Sequence, residues 1–144
     1  MLFRYTAVCV LFAGLMPCVL SAQSDETQTS EIHLELNALN ETEAACRLTF
    51  VATNSTDQDI ARAVFETVIF DSTGSVVTLS LFDFQSLPQG RPRVRQFDVR
   101  DLSCASIGRV LINGASTCTA GDADSTLCEK SLTLSSRVAA ELLG

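Results

Sequence analysis

Four cysteines, one histidine and a short run of arginines are the side chains of this sequence with chemistry to offer beyond solubility. Cys46, Cys104, Cys118 and Cys128 are the cysteines that follow the first 22 residues. Four thiols in one domain allow three pairings into two disulfides. None of them stands in a Cys-x-x-Cys pair and His33 is the only histidine. A zinc site or a thioredoxin-type redox pair therefore lacks the residues it needs.

His33 lies between Glu31 and Glu35. Alternate residues of a strand share a face at about 6–7 Å, so these three side chains form the smallest set that would hold a metal weakly or flank a general base. The plainer account is an exposed polar strand face. Asp122-Ala123-Asp124 with Glu129 supplies carboxylates, but the third acid and central glycine of a calcium loop are missing, which leaves a solvated loop. Ile107-Gly108-Arg109 and Asn113-Gly114-Ala115-Ser116 do not place a serine in a nucleophile elbow. An enzyme or a metal or small-ligand carrier would have to be built on His33 and nearby acids. The sequence favours a protein without catalytic residues, metal or cofactor.

Arg91, Arg93 and Arg95 stand out in a chain with 10 Lys+Arg against 17 Asp+Glu and a formal net charge of −7. At i, i+2 and i+4 of a strand they point the same way. Such a row suits docking an acidic partner, because guanidinium groups pair bidentately with carboxylates. It also suits an edge strand kept from pairing by charge, with Pro92 withholding an N–H. The acidic balance disfavours nucleic acid and anionic lipid, which reward a basic face. The expected partner is another envelope protein.

The elements that position these groups begin after an export signal. Met1 to Tyr5 carry one charge, Arg4; Thr6 to Leu20 are almost wholly apolar; Ser21-Ala22 ends the run. That order predicts a cleavable signal peptide over residues 1–22, since the apolar run is shorter than the ~20 residues a membrane-spanning helix needs. Leu15-Met16-Pro17-Cys18 has proline where a lipoprotein box needs a small residue, so lipid on Cys18 is not expected. Cleavage would remove Cys9, Cys18 and Arg4, leaving 144 − 22 = 122 residues of net charge −8. That is one domain, exported to the periplasm or secreted, with no later apolar run long enough to span a membrane.

Residues 23–30 form a polar leader. From Ile32, apolar Ile32, Leu34, Leu36 and Ala38 alternate with polar neighbours, and Cys46, Leu48, Phe50 and Ala52 do so again, the period of half-buried strands. Further strands are expected over Ile60–Phe70 (apolar on both faces, hence central), Val76–Phe84, Arg93–Val99, Ile107–Asn113 and, as a seventh, Lys130–Leu134. Asn40–Glu43, Asn54–Asp57, Asp71–Gly74 and Leu87–Gly90 read as turns, and Ser116–Ser125 as a small-residue loop. The prediction is an all-β antiparallel sandwich over residues 31–135. Val138, Ala139, Leu142 and Leu143 have helical spacing behind Ser136, which predicts a short C-terminal helix over 136–144.

Several segments carry a resemblance. Val51-Ala52-Thr53-Asn54-Ser55-Thr56, Phe65 to Asp71 followed by Ser72-Thr73-Gly74-Ser75-Val76-Val77, and Leu87-Pro88-Gln89-Gly90 leading to Phe97-Asp98-Val99 resemble the FxLYD-type and related immunoglobulin-like extracytoplasmic domains of bacteria. The similarity covers about Ile32 to Asn113 and is one of turns and core positions. Val68-Ile69-Phe70-Asp71 departs from the name-giving motif, with phenylalanine where tyrosine is usual. The cysteines and the Ser103–Asn113 segment resemble a group of exported proteins of Gram-negative bacteria. The resemblance implies an immunoglobulin-like sandwich of six or seven strands and no catalytic residues. Asn40-Glu41-Thr42 and Asn54-Ser55-Thr56 are formal glycosylation sequons, meaningful only in a eukaryotic secretory pathway; the bacterial origin that the resemblance implies would leave them without weight.

Strand direction narrows the disulfides. If strands alternate, the second and sixth run the same way, one in each sheet. Cys46 opens the second and Cys104 just precedes the sixth, at one pole; Cys118 and Cys128 fall at the other. The expected pairs are Cys46–Cys104 and Cys118–Cys128.

Overall fold

A computed structural model describes residues 29–144. The expected signal peptide, its expected cut site and most of the polar leader lie outside the described residues. The chain forms β1 (Ile32–Glu41), β2 (Ala45–Asn54), β3 (Ile60–Asp71), β4 (Val76–Leu87), β5 (Arg93–Arg100), β6 (Ile107–Ala120), β7 (Ala123–Asp124), a helical turn α1 (Leu127–Lys130), β8 (Leu132–Ser136) and β9 (Glu141–Leu143). One sheet has the order β5-β2-β1-β8, the other β4-β3-β6-β7, with β9 also paired to β6.

Binary patterning explains the two layers. Ile32, Leu34 and Leu36 of β1 and Cys46, Leu48, Phe50 and Ala52 of β2 turn inward and are buried. The alternation breaks after Leu36, where the β1–β2 register shifts and Asn37 is left as an extra residue, so Ala38 leaves the core face it would share in a regular strand. β3 lies between β4 and β6 and buries Phe65 and Ile69 on one face and Val64 and Val68 on the other, the signature of a central strand. Phe50 from one sheet meets Phe82 and Phe84 of the other edge-on, at 6.1 and 5.4 Å between ring centroids, and Phe97 stacks on Phe82 at 4.2 Å. These rings fill the core next to the side where β4 and β5 form the rims of the two sheets.

The cysteines pair as Cys46–Cys104 and Cys118–Cys128, with Cα atoms 4.9 and 6.0 Å apart. The first bond ties the start of β2 to the 3-10 turn Cys104–Ser106 ahead of β6. The second joins β6 to α1.

Three expectations need correcting. Residues 136–144 do not form a helix: Ser136 ends β8, a turn follows, and β9 runs parallel beside β6. The burial there has period two, with Ala140 and Leu142 inside and Glu141 and Leu143 outside. A helix this short is weak in isolation, and the open flank of β6 offers it a ladder instead. Ser136 still serves the following backbone, its Oγ donating to the carbonyl of Ala140 at 2.6 Å, but it closes a turn. The sandwich is also not purely antiparallel, because β8 pairs parallel with β1 and β9 with β6. Finally, residues 116–120 continue β6, which stays in register with β3 by three shifts along the ladder, rather than opening a loop.

Candidate interaction surface

The arginine row is split by the fold. Arg91 precedes β5 and is exposed, while Arg93 and Arg95 face the open side between β5 and β4. Arg95 is committed there: Nε donates to the carbonyl oxygen of Phe84 at 2.6 Å, Nη2 to that of Ser86 at 3.2 Å and Nη1 to that of Val94 at 3.0 Å. It binds one sheet's rim to the other. Arg91 and Arg93 have no carboxylate partner among the described residues, where the ion pairs are Arg47–Asp98, Arg62–Asp83 and Arg137–Glu35.

The polar face of β1 is likewise occupied. His33 Nε2 lies 2.9 Å from Ser135 Oγ of the neighbouring strand. Glu35 accepts from the Asn37 amide at 2.8 Å and from Arg137 Nε at 2.9 Å, and these partners, the amide first, hold its carboxyl below the usual range. Glu31, His33 and Glu35 thus share a strand face, but two of the three are spent on neighbours within the sheet. Asp122 lies exposed just ahead of β7 and Asp124 exposed at its end. A shallow cleft of about 620 Å³ at the pole near the β1–β2 turn is lined by Thr42, Glu43, Asp98, Arg100 and Asp101. Its Asp98 is already held by Arg47 through two bonds of 2.7 and 2.8 Å.

Two features stand out that the residue pattern alone does not flag. The first is Asn54, fully buried at the end of β2. Its amide nitrogen donates to the carbonyls of Gln58 and Leu87, both at 2.8 Å, and its oxygen accepts from Thr56 N–H at 3.0 Å and Thr56 Oγ at 2.7 Å. All four valences of the amide are filled, so the sequon at Asn54 is a structural knot with no room for a glycan. Its signal in the sequence is Asn-x-Thr directly after a strand, the pattern of a side chain that turns its own backbone.

The second is the outer face of β4. Thr78, Ser80, Phe82 and Phe84 face the core, so Val77, Leu79 and Leu81 face solvent, with Leu79 54% and Leu81 60% exposed; Val76 ahead of them is 62% exposed. β4 is the rim of its sheet. The two rims on this side of the sandwich are opposites: β5 is guarded by arginine and proline, and β4 between Val76 and Phe82 carries neither charge nor proline.

No helix among the described residues is long and apolar enough to cross a membrane. No family model, curated protein or solved structure matches the chain.

Proposed function

We propose that this protein is an exported, non-catalytic β-sandwich module of the immunoglobulin-like type, periplasmic or secreted, that works by contact with another envelope protein. The pairing of strands supports the fold type. β5 lies beside β2 and β6 beside β3, as strand E lies beside B and F beside C in an immunoglobulin sandwich. Two disulfides fit an oxidising compartment.

The observation that carries the contact role is the pair Arg91 and Arg93, two cations without carboxylate partners among the described residues of an acidic chain. A solvated guanidinium at the rim of the sandwich keeps its donors available for a carboxylate on another molecule. Arg95 holds the rim against which they stand. The partner surface is therefore acidic.

The test is capture from the native envelope with chemical cross-linking, using the wild-type protein and the Arg91→Ser, Arg93→Ser double variant. The expected result is a partner captured by the wild type, held less well as salt rises, and held poorly by the double variant with its salt response flattened. Capture equal for both proteins at every salt concentration would overturn the assignment of these arginines.

A further inference from the structure

We propose that the free rim of β4 pairs antiparallel with the same rim of a second copy of this chain, about a two-fold axis at Leu79, so that two sheets become one. The main-chain groups of β4 supply the first argument. Asp71 N–H, at the end of β3, donates to the carbonyl of Ser75 ahead of β4, and Ser72 N–H to the carbonyl of Ser106 ahead of β6. In β3 the main-chain groups of Ile69, Thr67 and Phe65 therefore face β4, where Thr78, Ser80 and Phe82 are their partners. Leu79 and Leu81, between those paired residues, present main-chain donors and acceptors at the rim. An unguarded rim of this kind is a template for another strand.

Charge selects the occupant. Two copies of an acidic protein repel each other except where neither carries charge. Val76 to Phe82 is such a window, between Asp71 and Asp83, and Asp83 is neutralised by Arg62 at 2.9 Å. The side chains then select the register. Centred on Leu79, antiparallel pairing sets Leu79 against Leu79 of the copy, Val77 against Leu81, and Thr78 against Ser80, matching the exposed apolar row to itself. The neighbouring registers that keep the same main-chain groups facing do worse: a centre at Ser80 sets Val77 against Asp83 of the copy, and a centre at Thr78 sets Leu81 against Ser75. A two-fold contact of identical patches is closed. β7 and β9 occupy the far flank of β6, so the joined sheet does not grow by repeating the β4 contact.

Sedimentation of the purified protein over a concentration series tests this, together with Leu79→Lys and single cysteines at exposed positions of the row. The expected result is a reversible dimer whose association Leu79→Lys weakens by about tenfold or more, because two ammonium groups would face each other across the axis. Under oxidising conditions Leu79→Cys should link to itself, since facing residues of such a pair have Cβ atoms about 4.5–5.5 Å apart. Val77→Cys alone should not, its copy lying four residues or about 13 Å along the strand, yet Val77→Cys mixed with Leu81→Cys should link. A monomer at all concentrations, a dimer indifferent to Leu79→Lys, or equal linking of Leu79→Cys and Val77→Cys would each overturn the proposal, including the case where the rim accepts a strand only from a different protein.

Discussion

Arg95 reaches from β5 across the open side of the sandwich, and its Nε donates to the carbonyl oxygen of Phe84 in β4 at 2.6 Å. With Nη2 on the carbonyl of Ser86, one side chain satisfies two rim carbonyls and closes the layer over Phe82, Phe84 and Phe97. Of its neighbours in the arginine row, Arg93 makes only a long bond to the carbonyl of Pro92 at 3.4 Å, and neither Arg91 nor Arg93 bonds to β4 among the described residues. Arg95→Ala should therefore lower stability by about 2 kcal/mol, the scale for charge-assisted bonds lost from partly buried carbonyls. The Arg91→Ser, Arg93→Ser pair should stay within about 0.5 kcal/mol of the wild type. Urea unfolding of the two variants checks the contrast, and equal losses would contradict it.

The disulfides should differ in weight. Cys46–Cys104 closes a separation of 58 residues and Cys118–Cys128 one of 10. In the chain-entropy account the first contributes about 4 kcal/mol and the second nearer 2–3. Cys46 is also fully buried among core side chains, so replacing the Cys46–Cys104 pair with alanines should lower the thermal midpoint more than replacing the other pair. Calorimetry on the two double variants decides the order.

Asn54→Ala should cost about 3 kcal/mol or more, since it strips partners from the buried carbonyl of Leu87 and from Thr56 at once. Asn54→Asp should be worse near neutral pH, because a carboxylate has no N–H to offer the carbonyls of Leu87 and Gln58. Acid should partly relieve that variant as the carboxyl regains a proton. Denaturant midpoints at neutral and mildly acidic pH test both statements, and a variant more stable at neutral than at mildly acidic pH would sink the second.

Three hydrogen-bonded carboxyls set the acid limit. Asp98 is held below the usual range by the hydrogen bonds from Arg47, Asp71 by the Thr73 hydroxyl and then the Ser75 N–H, and Glu35 by Asn37 and then Arg137. A carboxyl depressed in the folded state contributes stability that is full above its unfolded value and lost as pH falls through its folded value. The thermal midpoint should thus drop as pH falls below about 4. In Asp98→Asn part of that acid slope should disappear; a slope identical to wild type would show that the Arg47 pair does not couple to folding.

What the sequence makes legible follows from which interactions are local. Ile32, Leu34 and Leu36 alternate with His33 and Glu35 in a strand with one wet face, so the period reads directly. Strand directions place Cys46 beside Cys104 because a pole is a property of order along the chain. The outer row of β4 reads misleadingly. Val77, Leu79 and Leu81 are the more apolar residues locally, yet Phe82 and Phe84 pull the opposite face inward, and only the aromatic cluster built with Phe50 decides between them. The last residues mislead in the same way: Val138, Ala139, Leu142 and Leu143 have the spacing of a helix, and the competitor is the flank of β6, some thirty residues upstream. Arg95 reads as one of three equivalent cations until the carbonyls of a distant strand are brought to it.

The parallel pairing of β1 with β8, Ile32 beside Leu132 through Leu36 beside Ser136, gives the molecule a mechanical character. A pull applied ahead of Ile32 and beyond Ser136 acts on opposite ends of two strands that lie side by side. The load then runs along the ladder and strains all its bonds together, where an antiparallel hairpin pulled from its open end would yield one bond at a time. Tension applied across β1 and β8 in this way is borne in shear.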